Sequence, residues 1–264
     1  MNKTMKQDKF YWLGNAAKAK IINQILSQIS SEKDTLIFDY ACGDSGDWNA
    51  ILTNYPNIKL IGYEPDIKSV NKAKSKLKGH KVILLTGQEI YQHNFQADYI
   101  VSFSVFEHVY NRQEYLQLAK QHLADKGLFY LNYDDGHFRN YLNLNSPHLW
   151  KKQITEWLHN ILASPLAKLG KISTFQRRVD REEVENLIEN NGFRVSESFY
   201  SNLSSLKGLQ KKISPENKQL FTQTWLEFED LLNANFCEES PIYLGDTTNL
   251  WSQMGSRTLV LRHL

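Results

Sequence analysis

The stretch Leu36-Ile37-Phe38-Asp39-Tyr40-Ala41-Cys42-Gly43-Asp44-Ser45-Gly46 runs from an apolar, β-prone segment into an acid and then a turn of small residues, with a helical pattern from Trp48 behind it. An apolar run of that length reads as a buried strand. The small residues that follow let the main chain approach a ligand closely at a helix N-terminus. About 20 residues further on, the run from Leu60 to Glu64 ends in a second acid, placed where a carboxylate can accept hydrogen bonds from both hydroxyls of a ribose. Two strand-end acids at that spacing point to a nucleotide-like ligand at the carboxyl edge of a parallel sheet.

Outward from this stretch the first half of the chain alternates short β-rich runs with helical ones, the signature of βαβ units. Strands are expected at 36–40, 59–64, 82–85, 99–103 and 128–133. Helices are expected at 48–54, 67–77 and 112–122, the last ended by a turn at Asp125-Lys126-Gly127. Ahead of the first strand, Ala17, Ile21, Ile22, Ile25 and Ile29 recur at helical spacing. A helix from Arg181 to Asn190, a Gly192 cap, a strand at 193–199 and a last strand at 256–262 resume the theme. The fold class is therefore α/β: a Rossmann-like, seven-stranded, mostly parallel sheet with helices on both faces and helical insertions. The domain reading is an N-terminal helical segment at 1–30, a Rossmann-like domain at 31–139 and 171–264, a helical insertion at 140–170, and a second insertion at about 203–235. The first insertion carries Trp150, Ile154, Trp157, Leu158, Ile161 and Leu162 at helical spacing up to Pro165, a stripe that serves as core, lid or homodimer surface.

The 264 residues, 41% of them apolar, suffice for a full core. With 31 Lys and Arg against 29 Asp and Glu, the charge balance lacks the basic field of a dedicated nucleic-acid binder. The apolar runs are strand-length, far below the roughly 20 residues of a membrane span. The N-terminus has no apolar core of a secretory signal, which sets the expectation of a cytoplasmic protein. Cys42 and Cys237 stand at no metal-binding spacing and read as two reduced thiols.

The stretch around Asp39 resembles motif I of the class I S-adenosylmethionine-dependent methyltransferases, small-molecule branch. That motif is an acid, any residue, Gly-Cys-Gly, any residue, Gly. Here Ala41 replaces the first glycine, and the third small position falls on Ser45 with Gly46 just after it. The resemblance continues in order: Glu64 matches the family's ribose-binding acid, and Gly87 with Gln88 falls where the family meets adenine. The segment Ala97 to Val109 is very like its fourth-strand segment ending in a Glu-His pair, and Leu123 to Leu131 is like its fifth. It implies S-adenosylmethionine as cofactor, held by Asp39, Ala41, Cys42, Gly43, Ser45, Glu64, Pro65, Gly87, Gln88, Ser102, Phe103 and, from the N-terminal segment, Tyr11. An oxidoreductase is the nearest competitor, but its Gly-x-Gly-x-x-Gly turn is missing.

Methyl transfer is an in-line displacement, so the protein must align the acceptor and leave its nucleophile without a proton. After the fifth strand the cluster Tyr133-Asp134-Asp135-Gly136-His137 offers His137 as base, with Asp134 or Asp135 to orient it or to hold a cationic acceptor. The same residues suit a solvated turn equally well. An adjacent acidic pair also suits a divalent metal, but nothing else in the sequence supports one, and no metal is expected. His108 is read as structural. The Asn/Asp-Pro-Pro-aromatic signature of nucleic-acid amino methyltransferases is absent after the fourth strand, which argues against that substrate. The expected partner is a small-molecule O or N acceptor, as in glycan or secondary-metabolite biosynthesis. A protein methyltransferase and a noncatalytic cofactor-binding module are the other readings.

Overall fold

In the computed structural model the described residues are 15–134, 179, 181–235 and 254–264, with isolated positions at 158, 161 and 165. The chain opens with α1 (Ala16–Gln28), followed by β1 (Thr35–Tyr40), α2 (Trp48–Asn54), β2 (Ile58–Tyr63), α3 (Ile67–Lys76) and β3 (Val82–Leu85). Next come a single turn of helix, α4 (Glu89–Gln92), then β4 (Ala97–Phe103), a 3₁₀ turn at Phe106–His108, α5 (Arg112–His122) and β5 (Leu123–Asp134). The later elements are α6 (Arg181–Asn190), β6 (Phe193–Leu203), α7 (Ser204–Gln210), α8 (Lys218–Asn235) and β7 (Met254–His263).

The seven strands form one sheet in the order β3-β2-β1-β4-β5-β7-β6. β1 to β5 are parallel, and β7 runs antiparallel between β5 and β6. The order reverses at β1, which pairs with β2 on one side and β4 on the other, so the loops after these strands diverge and open a crevice at their carboxyl ends. This is the Rossmann-like sheet expected from the alternating pattern, with mostly parallel strands and helices on both faces.

Alternation along the strands builds two cores. Phe38, Tyr40, Ile100, Phe129 and Leu131 face α5 and α6, meeting Tyr115, Leu116, Val184 and Ile188. Ile37, Val101, Leu128, Tyr130 and Val260 face the other way, onto Ile21, Ile22 and Ile25 of α1 and Trp48 and Ile51 of α2. The period of two in the strands and of 3.6 in the helices thus put apolar side chains on facing surfaces.

One local expectation is corrected. The Asp125-Lys126-Gly127 stretch is no turn between helix and strand, because β5 begins at Leu123 directly after α5. Leu123 pairs with Ala97 and Leu128 with Tyr99, so residues 124–127 form a wide bulge within the ladder. The expected first insertion at 140–170, with its aromatic stripe, lies outside the described residues apart from isolated positions. Among the described residues no helix is long and apolar enough to cross a membrane.

Candidate functional site

The loop after β1 carries the first half of the site. The Cys42 amide donates to the Tyr63 carbonyl at 2.9 Å, tying the loop to β2, and the Ser45 and Trp48 amides donate to the Cys42 and Ser45 carbonyls at 3.1 Å each. Three of its residues are left-handed: Ala41 (φ 67°), Gly43 (φ 56°) and Ser45 (φ 49°). Gly87 after β3 (φ 52°) and Ser104 after β4 (φ 53°) adopt the same conformation on the same edge of the sheet. For Ala and Ser this region costs about 1–2 kcal/mol. Backbone strain of this kind concentrates where a ligand must be met closely.

The surface of this crevice suits an adenosine-bearing group. A Cβ added at Gly43 or at Gly87 would meet nothing within 4 Å, so both glycines leave open space on the ligand side. Gly62, by contrast, is closed: a Cβ there would stand 2.8 Å from the Cys42 Sγ. The Glu64 carboxylate is oriented by two main-chain donors, the Gly43 amide at 2.9 Å to Oε2 and the Asp66 amide at 3.0 Å to Oε1. Each carboxylate oxygen can accept more than one hydrogen bond, so a vicinal diol fits beside these two. Asp66 caps α3, and the Thr86 hydroxyl donates to the Pro65 carbonyl at 3.4 Å, so the loops after β2 and β3 hold one another.

Asp39, the last acid of β1, is 2% exposed and accepts from the Trp48 indole at 2.6 Å. Burial lifts its carboxyl to about 6, against the pull of Lys18 and of the indole hydrogen bond. Cys42 is pushed up to about 12 by burial, so its thiol stays neutral and serves packing rather than nucleophilic chemistry. Lys18 reaches in from α1: its Nζ lies 2.7 Å from Asp47 Oδ2 and 5.0 Å from the centre of the Phe103 ring.

The ends of β4 and β5 form the second half. The Tyr115 hydroxyl donates to Ser102 Oγ at 2.6 Å beneath the edge, and the Ser104 amide donates to the Asn132 carbonyl at 3.0 Å. In the Glu-His pair the 3₁₀ turn exposes His108 and buries Glu107, which is 3% exposed. The Glu107 carboxylate takes hydrogen bonds from its own amide and that of Asp134, and no donor among the described residues reaches its Oε2. Burial and the nearby Asp134 carboxylate raise its affinity for a proton, opposed by the charge of His108.

The structure therefore lines up Asp39, Ala41, Cys42, Gly43, Ser45, Glu64, Pro65, Gly87, Gln88, Ser102 and Phe103 along one edge, with Asp134 at the end of β5 beside Glu107. Tyr11, Asp135 and His137 lie outside the described residues. Sequence reasoning missed Lys18 and Glu107. A lysine on an amphipathic helix carries no signal of where it points. Glu107 was legible only as half of a pair whose inward member the register of the 3₁₀ turn decides. A separate cavity of about 510 Å³ opens between α1, β6 and α8. It lies on the flank of the sheet, where Lys20 is already paired with Asp230 at 2.6 Å and rests over Phe199.

A family model described as a methyltransferase domain matches residues 15–198. No curated protein matches the chain significantly. A mycolic acid cyclopropane synthase, complexed with SAH and CTAB, superimposes with a TM-score of 0.56 at 15% identity, over 93% of this chain and 84% of its own. A plantazolicin methyltransferase, in complex with a triazolic desmethylPZN analog and SAH, gives 0.54 at 13% identity over 94% and 85%. A cyclopropane synthase from Mycobacterium tuberculosis gives 0.53 at 16% identity over 97% and 87%. At such identities the likeness is one of fold.

Proposed function

Since the chain belongs to the class I S-adenosylmethionine-dependent methyltransferases, by a methyltransferase domain matched over residues 15–198, we propose that it methylates a small-molecule O or N acceptor held over the carboxyl ends of β4 and β5. The observation that carries the reading is the recessed carboxylate pair at that edge. Glu107 is 3% exposed and shares the β4–β5 end with Asp134, and we read this pair as the polar end of a site sized for a small amine or hydroxyl.

The cofactor would be held by Glu64 at its ribose, by the open main chain at Ala41, Gly43 and Ser45, by Gly87 and Gln88 at its base, and by Asp39 at its ammonium, with Pro65, Ser102, Phe103 and Tyr11 completing the walls. When bound, it supplies an electrophilic methyl group, so the protein's own task is alignment and proton management. Asp39 presents a negative charge beneath the loop once ionised. Glu107 and Asp134 would attract a cationic amine, and the ionised Glu107 carboxylate, whose affinity for a proton is raised by burial, would take the proton that the amine or hydroxyl must lose to free the lone pair that displaces the methyl group. His137 and Asp135 are proposed to extend this acidic and basic group. Glycan or secondary-metabolite intermediates are the acceptors proposed, in a cytoplasmic compartment.

The test is transfer of labelled methyl from S-adenosylmethionine into a fractionated cell extract. Label in low-molecular-mass products, lost in Glu107→Gln while S-adenosylhomocysteine still binds, is the expected result. Label in macromolecules alone overturns the small acceptor. Loss of cofactor binding in a folded Glu64→Ala variant tests the cofactor half separately.

A further inference from the structure

We infer that Lys18, on the helix ahead of the first strand and outside motif I, binds the carboxylate of the amino-acid tail of the methyl donor. The inference rests on the donor reading above and assigns a residue to that part of the ligand for which the motif offers no cation. The tail is a zwitterion, with an ammonium and a carboxylate on one carbon. The loop after β1 presents acids, Asp39 buried beneath it and Asp47 at its far end, and acids can meet only the ammonium.

The opposite charge is delivered by α1. Its first turn is pinned at both sides: Asn15 Oδ1 accepts from the Lys18 amide at 3.0 Å, and Asn202 Oδ1, from the end of β6, accepts from the Ala16 and Ala17 amides at 2.8 and 3.3 Å. With its leading amides satisfied in this way, the helix end has little left to offer an anion through its main chain, and the cation must come from a side chain.

Lys18 is placed to provide it. Its side chain is 16% exposed, its Nζ is 2.7 Å from Asp47 Oδ2 and 5.0 Å from the centre of the Phe103 ring, and its charge acts on buried Asp39. The ammonium thus stands between the loop after β1 and the end of β4, on the ground where the tail must lie if the base is at Gly87 and the ribose at Glu64. Lys20, two residues on, points to the flank of the sheet over Phe199. Lys76 is held by Asp44 at 2.6 Å, on the outer side of the loop. Asp47 is about half exposed, so its ion pair with Lys18 is screened and can yield to a ligand carboxylate at small cost.

The experiment compares two ligands that differ only in the tail: S-adenosylhomocysteine, which carries it, and 5′-methylthioadenosine, which lacks it. Lys18→Met keeps an unbranched side chain of similar length and removes the charge; Lys18→Arg keeps the charge. Calorimetric titration of the full chain is expected to show S-adenosylhomocysteine weakened about tenfold or more in Lys18→Met, the loss of one charge-assisted hydrogen bond. Methylthioadenosine should bind as in the wild type, and Lys18→Arg should recover most of the loss. Equal weakening of both ligands would mean that Lys18 acts through the fold, and undiminished S-adenosylhomocysteine binding would mean that it does not touch the tail; either overturns the assignment alone. A wild type that binds neither ligand removes the donor reading itself, and the Lys18 assignment with it.

Discussion

At the scale of single residues, the loop after β1 keeps the backbone of a glycine turn with other residues in it. Ala41 and Ser45 are left-handed at φ 67° and 49°, conformations that glycine adopts freely. The strain at Ala41 is therefore stored in the fold. Ala41→Gly is expected to raise the urea midpoint by the equivalent of about 0.5–1 kcal/mol, the relieved Cβ clash less the added freedom of the unfolded chain. An unchanged or lowered midpoint would show that the turn does not need the left-handed form there. Asp39 supplies a second expectation at this scale. Its carboxyl, lifted to about 6, is protonated below that pH and can no longer face an ammonium, so S-adenosylhomocysteine affinity should fall as pH drops through about 6 and level off above it. Titrations across that range, with Asp39→Asn as the flat reference, check the assignment.

At the scale of elements, α1 and α8 are coupled to the antiparallel end of the sheet by buried polar groups rather than by apolar area alone. Glu229 of α8 is fully buried, accepts from the Trp225 indole and, at 2.7 Å, from the Leu203 amide, and its carboxyl is lifted to about 7 by that burial. A carboxyl raised in the folded state is protonated there while the unfolded chain has already lost its proton. Stability contributed by this group is therefore present in full below about 4.5 and is lost as pH rises toward about 7. The loss amounts to about 3 kcal/mol at most. Glu229→Gln, which retains a carbonyl acceptor, should flatten that slope and raise the Tm above pH 7; an unaltered slope would place the pH dependence elsewhere. Asn202 is the corresponding device for α1, left-handed at φ 67° and capping two amides. Asn202→Ala loses the cap and strains the backbone, for an expected total of about 2 kcal/mol by chemical unfolding, whereas Asn202→Gly loses the cap alone and should cost about half as much.

At the scale of the whole molecule, the sheet is parallel where the site is built and antiparallel where the chain closes it. The junction is the β5–β7 pair, and it is polar inside: the Asn132 side-chain amide donates to Ser256 Oγ at 2.8 Å, to the Arg257 carbonyl at 3.2 Å and to Thr258 Oγ1 at 2.9 Å. Next to it the Arg257 guanidinium donates to the Tyr133 hydroxyl at 2.9 Å and meets Glu185 of α6 at 3.0 Å. The Asn132 and Tyr133 contacts bridge more than 120 positions of sequence and tie the β5 end, which carries Asp134, to the last strand. Asn132→Leu leaves several buried groups without a donor and is expected to destabilise the chain by about 2 kcal/mol. On the acceptor-side role proposed for Asp134, labelled-methyl transfer should suffer more than S-adenosylhomocysteine binding. Equal losses in both would separate Asp134 from the acceptor site.

How much of this was open to reading follows from the range of the interactions. The sequence alone determined the alternation of strands and helices, the carboxyl-edge crevice after Asp39 and the position of the strand-end acid Glu64, because periodicity and short motifs are local, and a strand-turn-helix places its own acids. The bulge at 124–127 escaped it, since a bulge exists only against a partner strand. Lys18 and Glu107 escaped it as well. Lys18 meets Phe103 across 85 positions of sequence, on a helix whose first amides are capped by the still more distant Asn202, and Glu107 meets the Asp134 amide from the end of a different strand. Tertiary structure alone decided which charged side chains enter the crevice, because that choice is set by contacts between elements remote in sequence, and no local pattern records them.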